Sequence, residues 1–240
     1  MQWRKLTFGA MKSQFSNCTT ACIVVNWRAA EETLACLERL FESDSNPGQV
    51  VVVENGSPEH SAEELIKGFV QRGWSYSEST VEKPLSGSIS KLHLLRSPIN
   101  GGFAWANNRA VELLERSSSF QAYWLLNNDT RVEPGALPAL LDALVEEQLD
   151  IVGSRSVAFD DPSRTLSAGG WISRWSGATH RRPAGAQRPP DYAEGASFLF
   201  TAKLFKELGP LSEDYFLYYE ETDYCFAAKS RGYRVGVAET

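Results

Sequence analysis

A few short stretches of this sequence combine carboxylates and amides in a way that could bind a metal–phosphate group and move a proton. Asn26 closes the apolar run Ala21-Cys22-Ile23-Val24-Val25, and Glu54-Asn55 closes Val50-Val51-Val52-Val53. Asn127-Asn128-Asp129 closes Ala122-Tyr123-Trp124-Leu125-Leu126. A carboxylate such as Asp129 can hold a hard divalent cation, which takes oxygen ligands and fills its shell with diphosphate oxygens and water. Further on, Glu220-Glu221-Thr222-Asp223 directly follows Tyr215-Phe216-Leu217-Tyr218-Tyr219. Carboxylates beside apolar rings lose solvation, which raises a pKa and suits a general base. Each stretch has a plainer competing reading. Asn, Asp and Ser are good caps and turn formers, and charge runs are commonly solvated surface.

Other chemistries lack their residues. There is no G-x-x-x-x-G-K-[ST] phosphate loop and no G-x-G-x-x-G after the first apolar run. His60, His93 and His180 form no H-E-x-x-H, and no G-x-S-x-G elbow occurs, so each lone His reads as a surface or core residue. Cys18, Cys22, Cys36 and Cys225 have no metal-knuckle spacing and fit a reduced, intracellular protein. With 24 basic against 30 acidic residues the net charge is −6, which argues against a nucleic-acid partner. No apolar run approaches the ~18–20 residues of a membrane span. The start, MQWRKLTFGAMK, lacks the apolar core of a signal peptide. A cytoplasmic protein is expected.

The elements that must position these residues alternate in type. Length 240 allows one large domain or two small ones. Residues 1–19 read as an irregular extension or edge strand. The runs at 21–26, 49–53, 91–95, 122–126 and 151–153 suit strands covered on both faces of a parallel sheet. Leu34, Leu37, Leu40 and Phe41 recur at helical spacing. So do Ala106, Ala110, Val111, Leu113 and Leu114 within a helix expected over 104–116. Ser61 and Glu64 have capping-box spacing. Glu133-Pro134-Gly135 is expected to open a helix running to about Glu147. Residues 74–90 read as a loop or hairpin and 176–193 as a mobile loop. A short helix is expected over 202–208, and 235–240 reads as a strand. Strand–helix alternation predicts a single α/β domain with a mainly parallel, Rossmann-like sheet and helices on both faces. In such sheets ligands sit beyond the carboxyl ends of the strands, where Asn26, Glu54, Asn55 and Asp129 fall.

The motifs also resemble a family. Asn100-Gly101-Gly102-Phe103-Ala104-Trp105-Ala106-Asn107-Asn108 is similar to the N-x-G-F-A-x-x-N-N stretch of bacterial family 2 glycosyltransferases. Leu126-Asn127-Asn128-Asp129-Thr130 resembles that family's D-x-D metal motif, and Phe216-Leu217-Tyr218-Tyr219-Glu220-Glu221-Thr222-Asp223 resembles its aromatic segment followed by E-D-x-D. Gly195-Ala196-Ser197 and Arg231-Gly232-Tyr233 match its G-A and R-G-Y elements, so the resemblance covers about residues 20–240, with the rhamnosyltransferase-like subgroup the nearest match.

The resemblance implies a GT-A fold and inverting transfer of a sugar, rhamnose as first expectation, from a dTDP- or UDP-linked donor. The acceptor would be a saccharide or lipid-linked hydroxyl in cell-surface polysaccharide assembly. Mg2+ or Mn2+ would assist. It implies a nucleotide-sugar half over 20–130 and an acceptor half over 131–240. Asn26, Glu54, Asn55, Gly101, Gly102, Asn107, Asn127 and Asn128 would border the donor, and Asp129 would bind the metal. Gly195 and Ala196 would line the acceptor or sugar pocket. Glu221, flanked by Glu220 and Asp223, would be the catalytic base. Glu54 and Glu221 stand where the family usually has Asp, and a downstream His and further helices of the family are not part of this sequence, so truncation at the C-terminus is expected. A lipid-linked acceptor would bring the chain to the inner face of the membrane. The alternatives are a sugar-nucleotide-binding protein that no longer catalyses and a sugar nucleotidyltransferase, although the basic Gly-rich loop of the latter is not visible.

Overall fold

The structure, a computed structural model, describes residues 15–58, 60–85, 87 and 89–239. The expected N-terminal extension therefore lies mostly outside the described residues; its last part is a single 3-10 turn at Asn17–Thr19. From there the order is β1 (Thr20–Asn26), α1 (Ala30–Glu42), β2 (Gln49–Asn55), α2 (Ser61–Gln71), β3 (Tyr76–Thr80), β4 (Leu92–Ser97), α3 (Phe103–Ser117) and β5 (Ala122–Asn127). Then come α4 (Ala136–Glu146), β6 (Ile151–Ser154), the short β7 (Ser156–Val157), β8 (Thr165–Ser167), β9 (Gly170–Ile172) and β10 (Thr179–Arg181), followed by β11 (Ser197–Thr201), α5 (Ala202–Leu208), α6 (Glu220–Ser230) and β12 (Val235–Ala238).

Eight strands form one sheet in the order β12-β6-β11-β5-β1-β2-β4-β3. All neighbours run parallel except at β11, which is antiparallel to both β5 and β6. Alternation along each strand sorts the core into two layers. Ile23, Val51, Val53, Leu125 and Phe198 face α3, α5 and α6. Cys22, Val24, Val50, Val52 and Trp124 face α1, α2 and α4. Because both faces are covered, β1 and β2 tolerate almost no polar residue until their last positions, Asn26 and Glu54-Asn55. The five inward positions expected on α3 are all buried.

The structure differs from expectation at several places, each with a physical reason. Residues 76–80 are a parallel edge strand rather than loop or hairpin. Tyr76 packs on Phe69 with ring centroids 5.5 Å apart. The hydroxyls of Ser77 and Ser79 lie 2.8 and 2.9 Å from the two ring nitrogens of His93. The Ser61–Glu64 capping box does not form, because His60 takes the cap position with φ 80 and the Ser61 hydroxyl donates to Glu54 instead. The fourth helix starts after Gly135, whose φ of 82 is outside helical space, so Glu133 and Pro134 precede it. Within 176–193, β10 pairs with β9 as a small antiparallel ribbon, and Arg182 is a buried clamp bonded to the Arg188 carbonyl and to Glu239 at 2.5 Å. β11 and α6 were not expected at all.

His93 is fully buried, and burial holds its ring down to about 4, well below the ordinary 6.5. The unfolded chain therefore takes up a proton that the folded chain refuses between pH ~6.5 and ~4. This side chain's share of stability is intact above pH ~6.5 and falls by up to about 3 kcal/mol as pH drops to ~4. Urea unfolding at pH 7 and pH 4.5 is expected to show a smaller loss of stability in His93→Gln than in the wild type.

Candidate active site

Chain topology brings the candidate residues to one end of the sheet. Asn26, Glu54-Asn55 and Asn127 terminate adjacent parallel strands β1, β2 and β5 at their carboxyl ends. Strand β11 runs the opposite way beside β5, with Ser197 opposite Leu126, so the residues that precede it arrive at the same end. The Asn127 amide donates to the Ala196 carbonyl at 3.0 Å, which holds Gly195-Ala196 against the turn carrying Asn128 and Asp129.

Gly195 in turn faces the acidic helix. A Cβ built on Gly195 would lie 3.8 Å from Glu221 Cδ and 3.7 Å from Phe103 Cζ. Glu221 is thus brought beside the first residue of α3 and the start of β11. Burial pushes its carboxyl up from the ordinary 4.5 to about 7, with the charges of Glu220 and Glu194 adding to the rise, while its own backbone amide and the Thr222 hydroxyl oppose it. Glu220 is 3 % exposed, its Oε2 has no partner, and burial raises its carboxyl as well. Asp223 begins the helical ladder, its amide donating to the Tyr219 carbonyl at 2.8 Å. Tyr218 and Tyr219 both have φ 72, an uncommon conformation for bulky residues, and Phe216, Leu217, Tyr218 and Tyr219 expose their side chains next to Glu221.

The loop before α3 is held by amides and by two glycines. Asn55 Nδ2 donates to Asn100 Oδ1 at 3.0 Å and its Oδ1 accepts from the Gly101 amide at 3.2 Å. Gly102 has φ 88, and a Cβ there would sit 2.3 Å from the Phe216 carbonyl oxygen. That same carbonyl accepts from the Phe103 amide at 3.1 Å, so the loop and the aromatic segment are fastened together. Asn107 donates to the Phe103 carbonyl at 2.9 Å and leaves a buried Oδ1 without a partner.

Behind the strand ends lies a buried polar chain. Asn26 is fully buried; its Nδ2 donates to Glu54 and, at 2.9 Å, to the Ser61 hydroxyl. Glu54 also accepts from Ser61 Oγ at 3.0 Å and from the Ser57 amide at 2.9 Å. Asn26 therefore holds Glu54 and presents no free polar atom to a cleft. A cleft of about 340 Å³ opens beyond β2 and β4, lined by Glu54, Ser57, His60, Ser61, Arg96 and Ser97 among others. A larger depression of about 990 Å³ runs between α4 and β12 and includes none of the strand-end candidates. The carboxylates and amides decide which matters, and they converge on the carboxyl ends.

Among the described residues, no three His, Cys, Asp or Glu side chains gather into a self-sufficient metal site. Asp129 is exposed at its turn, and its carboxylate, like the Asn127 side chain, is unengaged within the described protein. That donor set fits a divalent cation only as a shared ligand, with phosphate oxygens and water completing the shell. Burial pushes the thiols of Cys36 and Cys225 up to about 11 and about 12, which leaves neither as a nucleophile.

Comparison with known proteins gives the family and the fold. The model of glycosyl transferase family 2 matches residues 21–209, and the chain belongs to that family. The match ends before Glu220–Asp223, so the acidic helix rests on the structure alone. The low-salt glycan biosynthesis hexosyltransferase Agl10 of Haloferax volcanii is 22 % identical over 223 residues, covering 89 % of this chain and 62 % of Agl10. The chain thus spans under two thirds of that relative. Among solved structures, the mannosyltransferase PcManGT of Pyrobaculum calidifontis, in complex with GDP-Man and Mn2+, superposes with TM-score 0.61 at 14 % identity, over 97 % of this chain and 61 % of that one. GalNAc-T7 with UDP, GalNAc and Mn2+ gives TM-score 0.67 at 13 % identity, over 92 % and 42 %. The fold is the GT-A type of these enzymes.

Replacing Gly102 with Ala tests the fastening of the loop. The forced φ and the collision with backbone are expected to cost on the order of ~2–3 kcal/mol in urea unfolding. Asn46, whose Oδ1 is buried without a partner away from the loop, should accept Ala with little change.

Proposed function

We propose that this chain is a metal-assisted, inverting glycosyltransferase of the hexosyltransferase type, which transfers a sugar from a nucleoside-diphosphate donor to a hydroxyl of a saccharide or lipid-linked acceptor. The observation that carries this is Glu221, a carboxyl with its pKa raised to about 7, held beside Gly195 and joined through Ala196 to the turn bearing Asp129. A base with a pKa close to 7 is matched to a hydroxyl that must lose its proton only as it attacks.

The step balances simply. The acceptor oxygen forms a bond to the anomeric carbon on the face opposite the diphosphate, the bond from that carbon to the phosphate oxygen breaks, and the hydroxyl proton passes to Glu221. One displacement inverts the centre and requires no second nucleophilic carboxylate. Asp129, with Asn127 beside it, would hold Mg2+ or Mn2+, which would neutralise charge on the departing diphosphate. The Mn2+ in the two solved structures supports that choice. Glu54 and the 340 Å³ cleft fit the base and ribose, and Gly101, Gly102 and Asn107 fit the diphosphate side, making 20–130 the donor half. Gly195 and the exposed Tyr218 and Tyr219 fit the acceptor side, with 131–240 as its half. The GDP and UDP of the solved structures widen the donor panel beyond dTDP-rhamnose, the first donor that the motifs favour. Among the described residues no helix is long and apolar enough to cross a membrane.

Calorimetric titration with UDP, GDP and dTDP, each with Mn2+, Mg2+ or chelator, tests the donor site. Binding of one diphosphate that needs the cation, and that is lost in Asp129→Ala, is expected; cation-independent binding to both proteins would overturn the metal assignment. Glu221→Gln should keep diphosphate affinity and lose transfer by about 10²–10⁴-fold. The wild-type rate should rise with pH and reach half its plateau near pH 7, since only the ionised carboxylate accepts the proton. A rate already flat from pH 5.5 would remove Glu221 from that role.

A further inference from the structure

Thr33 lies in the first turn of α1, fully buried, one turn before Leu37 on the stripe that packs against the sheet. Its neighbours on that stripe are apolar, so a hydroxyl here needs a reason. Thr33 Oγ1 donates to Asn26 Oδ1 at 2.7 Å, with the Ala29 carbonyl at 2.8 Å as an alternative acceptor, and it accepts from Asn128 Nδ2 at 3.0 Å. Asn26 passes the connection on, its Nδ2 donating to Glu54. A continuous chain of side-chain hydrogen bonds therefore runs from Glu54 at the end of β2, through Asn26 and Thr33, to Asn128 in the turn after β5. A carboxylate can only accept, which turns the Asn26 amide so that its nitrogen faces Glu54 and its oxygen faces Thr33; the Asn128 nitrogen can only donate, so the Thr33 oxygen accepts from it, with the Thr33 hydrogen in reach of both the Asn26 oxygen and the Ala29 carbonyl.

We propose that Thr33 is a positioning residue for donor binding, which couples the carboxylate at the nucleotide cleft to the turn that presents Asp129. This rests on the reading of that end of the sheet as the nucleoside-diphosphate site. Asn128 is adjacent to Asp129, and the Thr33 bond together with the Thr130 hydroxyl on the Asn127 carbonyl at 2.7 Å ties that turn on both sides of Asp129. Networks of this kind act as a unit, and removal of one member is felt by the others.

The test is a double-substitution cycle read on affinity for whichever of UDP, GDP and dTDP the wild-type chain binds at fixed Mn2+. Thr33→Val, which keeps the branched shape and removes the hydroxyl, is expected to weaken binding about five- to tenfold, since it leaves polar partners unsatisfied at one end of the site. Thr33→Ser, which restores the hydroxyl, should return affinity to within about twofold. Glu54→Gln weakens binding by itself, and in Glu54→Gln/Thr33→Val the loss should be clearly smaller than the product of the single losses, because the two share one connection. Leu37→Ala serves as the structural comparison; it opens a cavity in the same helix face and should lower the thermal midpoint while leaving affinity intact. Wild-type affinity in Thr33→Val at a temperature where it is folded, or a double loss equal to the product of the single ones, overturns the proposal. If the wild type binds none of the diphosphates, the functional reading fails and this inference falls with it.

Discussion

The hydrogen bond from the Asn127 amide to the Ala196 carbonyl joins the two parts of the site, and most of the geometry around it follows from how β5 and β11 pair. Because β11 is antiparallel, its beginning meets the end of β5. The chain can then present Gly195 beside a strand end that is otherwise built from the last residues of β1, β2 and β5, far earlier in the chain. The seam is reinforced from within: the Trp124 indole donates to the Ser197 hydroxyl at 2.9 Å, and Ser154 reaches the same hydroxyl at 2.6 Å. A parallel β11 would carry the same residues to the opposite end of the sheet.

Polar groups in the site divide into those spent on the protein and those left open. Asn26, Asn55 and Asn108 use their amides on internal partners; Asn108, for example, bonds the Leu211 backbone through both its donor and its acceptor. Their burial is affordable only with those bonds in place. Asp129 and Glu221 are different, because among the described residues neither forms an ion pair with a cationic side chain, and the Asn127 side chain is left without a hydrogen-bond partner. A carboxyl that keeps a raised pKa next to two other acidic residues is a cost to the folded state, offset by the apolar packing of Tyr224, Cys225 and Ala228 on the far side of α6.

The sequence was legible where burial is two-sided. Strands β1, β2, β4 and β5 are covered on both faces and read as apolar runs; the polar residues that close β1, β2 and β5 fall together at one end of the sheet. β3 escaped notice because its Ser77 and Ser79 turn toward a buried imidazole, a pairing that only the fold brings about. The helix α6 was hidden for a related reason: Glu220 and Thr222 point inward along with Tyr224 and Cys225, so charge and periodicity contradict each other. β11 went unread because Ser197-Phe198-Leu199-Phe200-Thr201 runs directly into the helix at Ala202, with no turn residue between them to mark a separate element. Thr33 left only a faint trace, a hydroxyl in register with Ala30, Leu34 and Leu37. The glycines and amides of 100–108 were visible as a motif, but that Asn55 would organise this loop depends on β2 ending beside it.

The late insertion of β11 also shapes how the chain reaches its native form. Strands β5 and β6 are separated by only a helix in sequence, yet they never touch; each needs residues 197–201 between them. Until that segment has been synthesised and has docked, the sheet carries an open edge at β5, apolar on both faces and with unpaired backbone. Exposed edges of that kind recruit other strands. A nascent chain halted near residue 190 would therefore hold β1 to β5 next to a sticky seam, and protection by a chaperone matters most until residues 197–201 have emerged and docked.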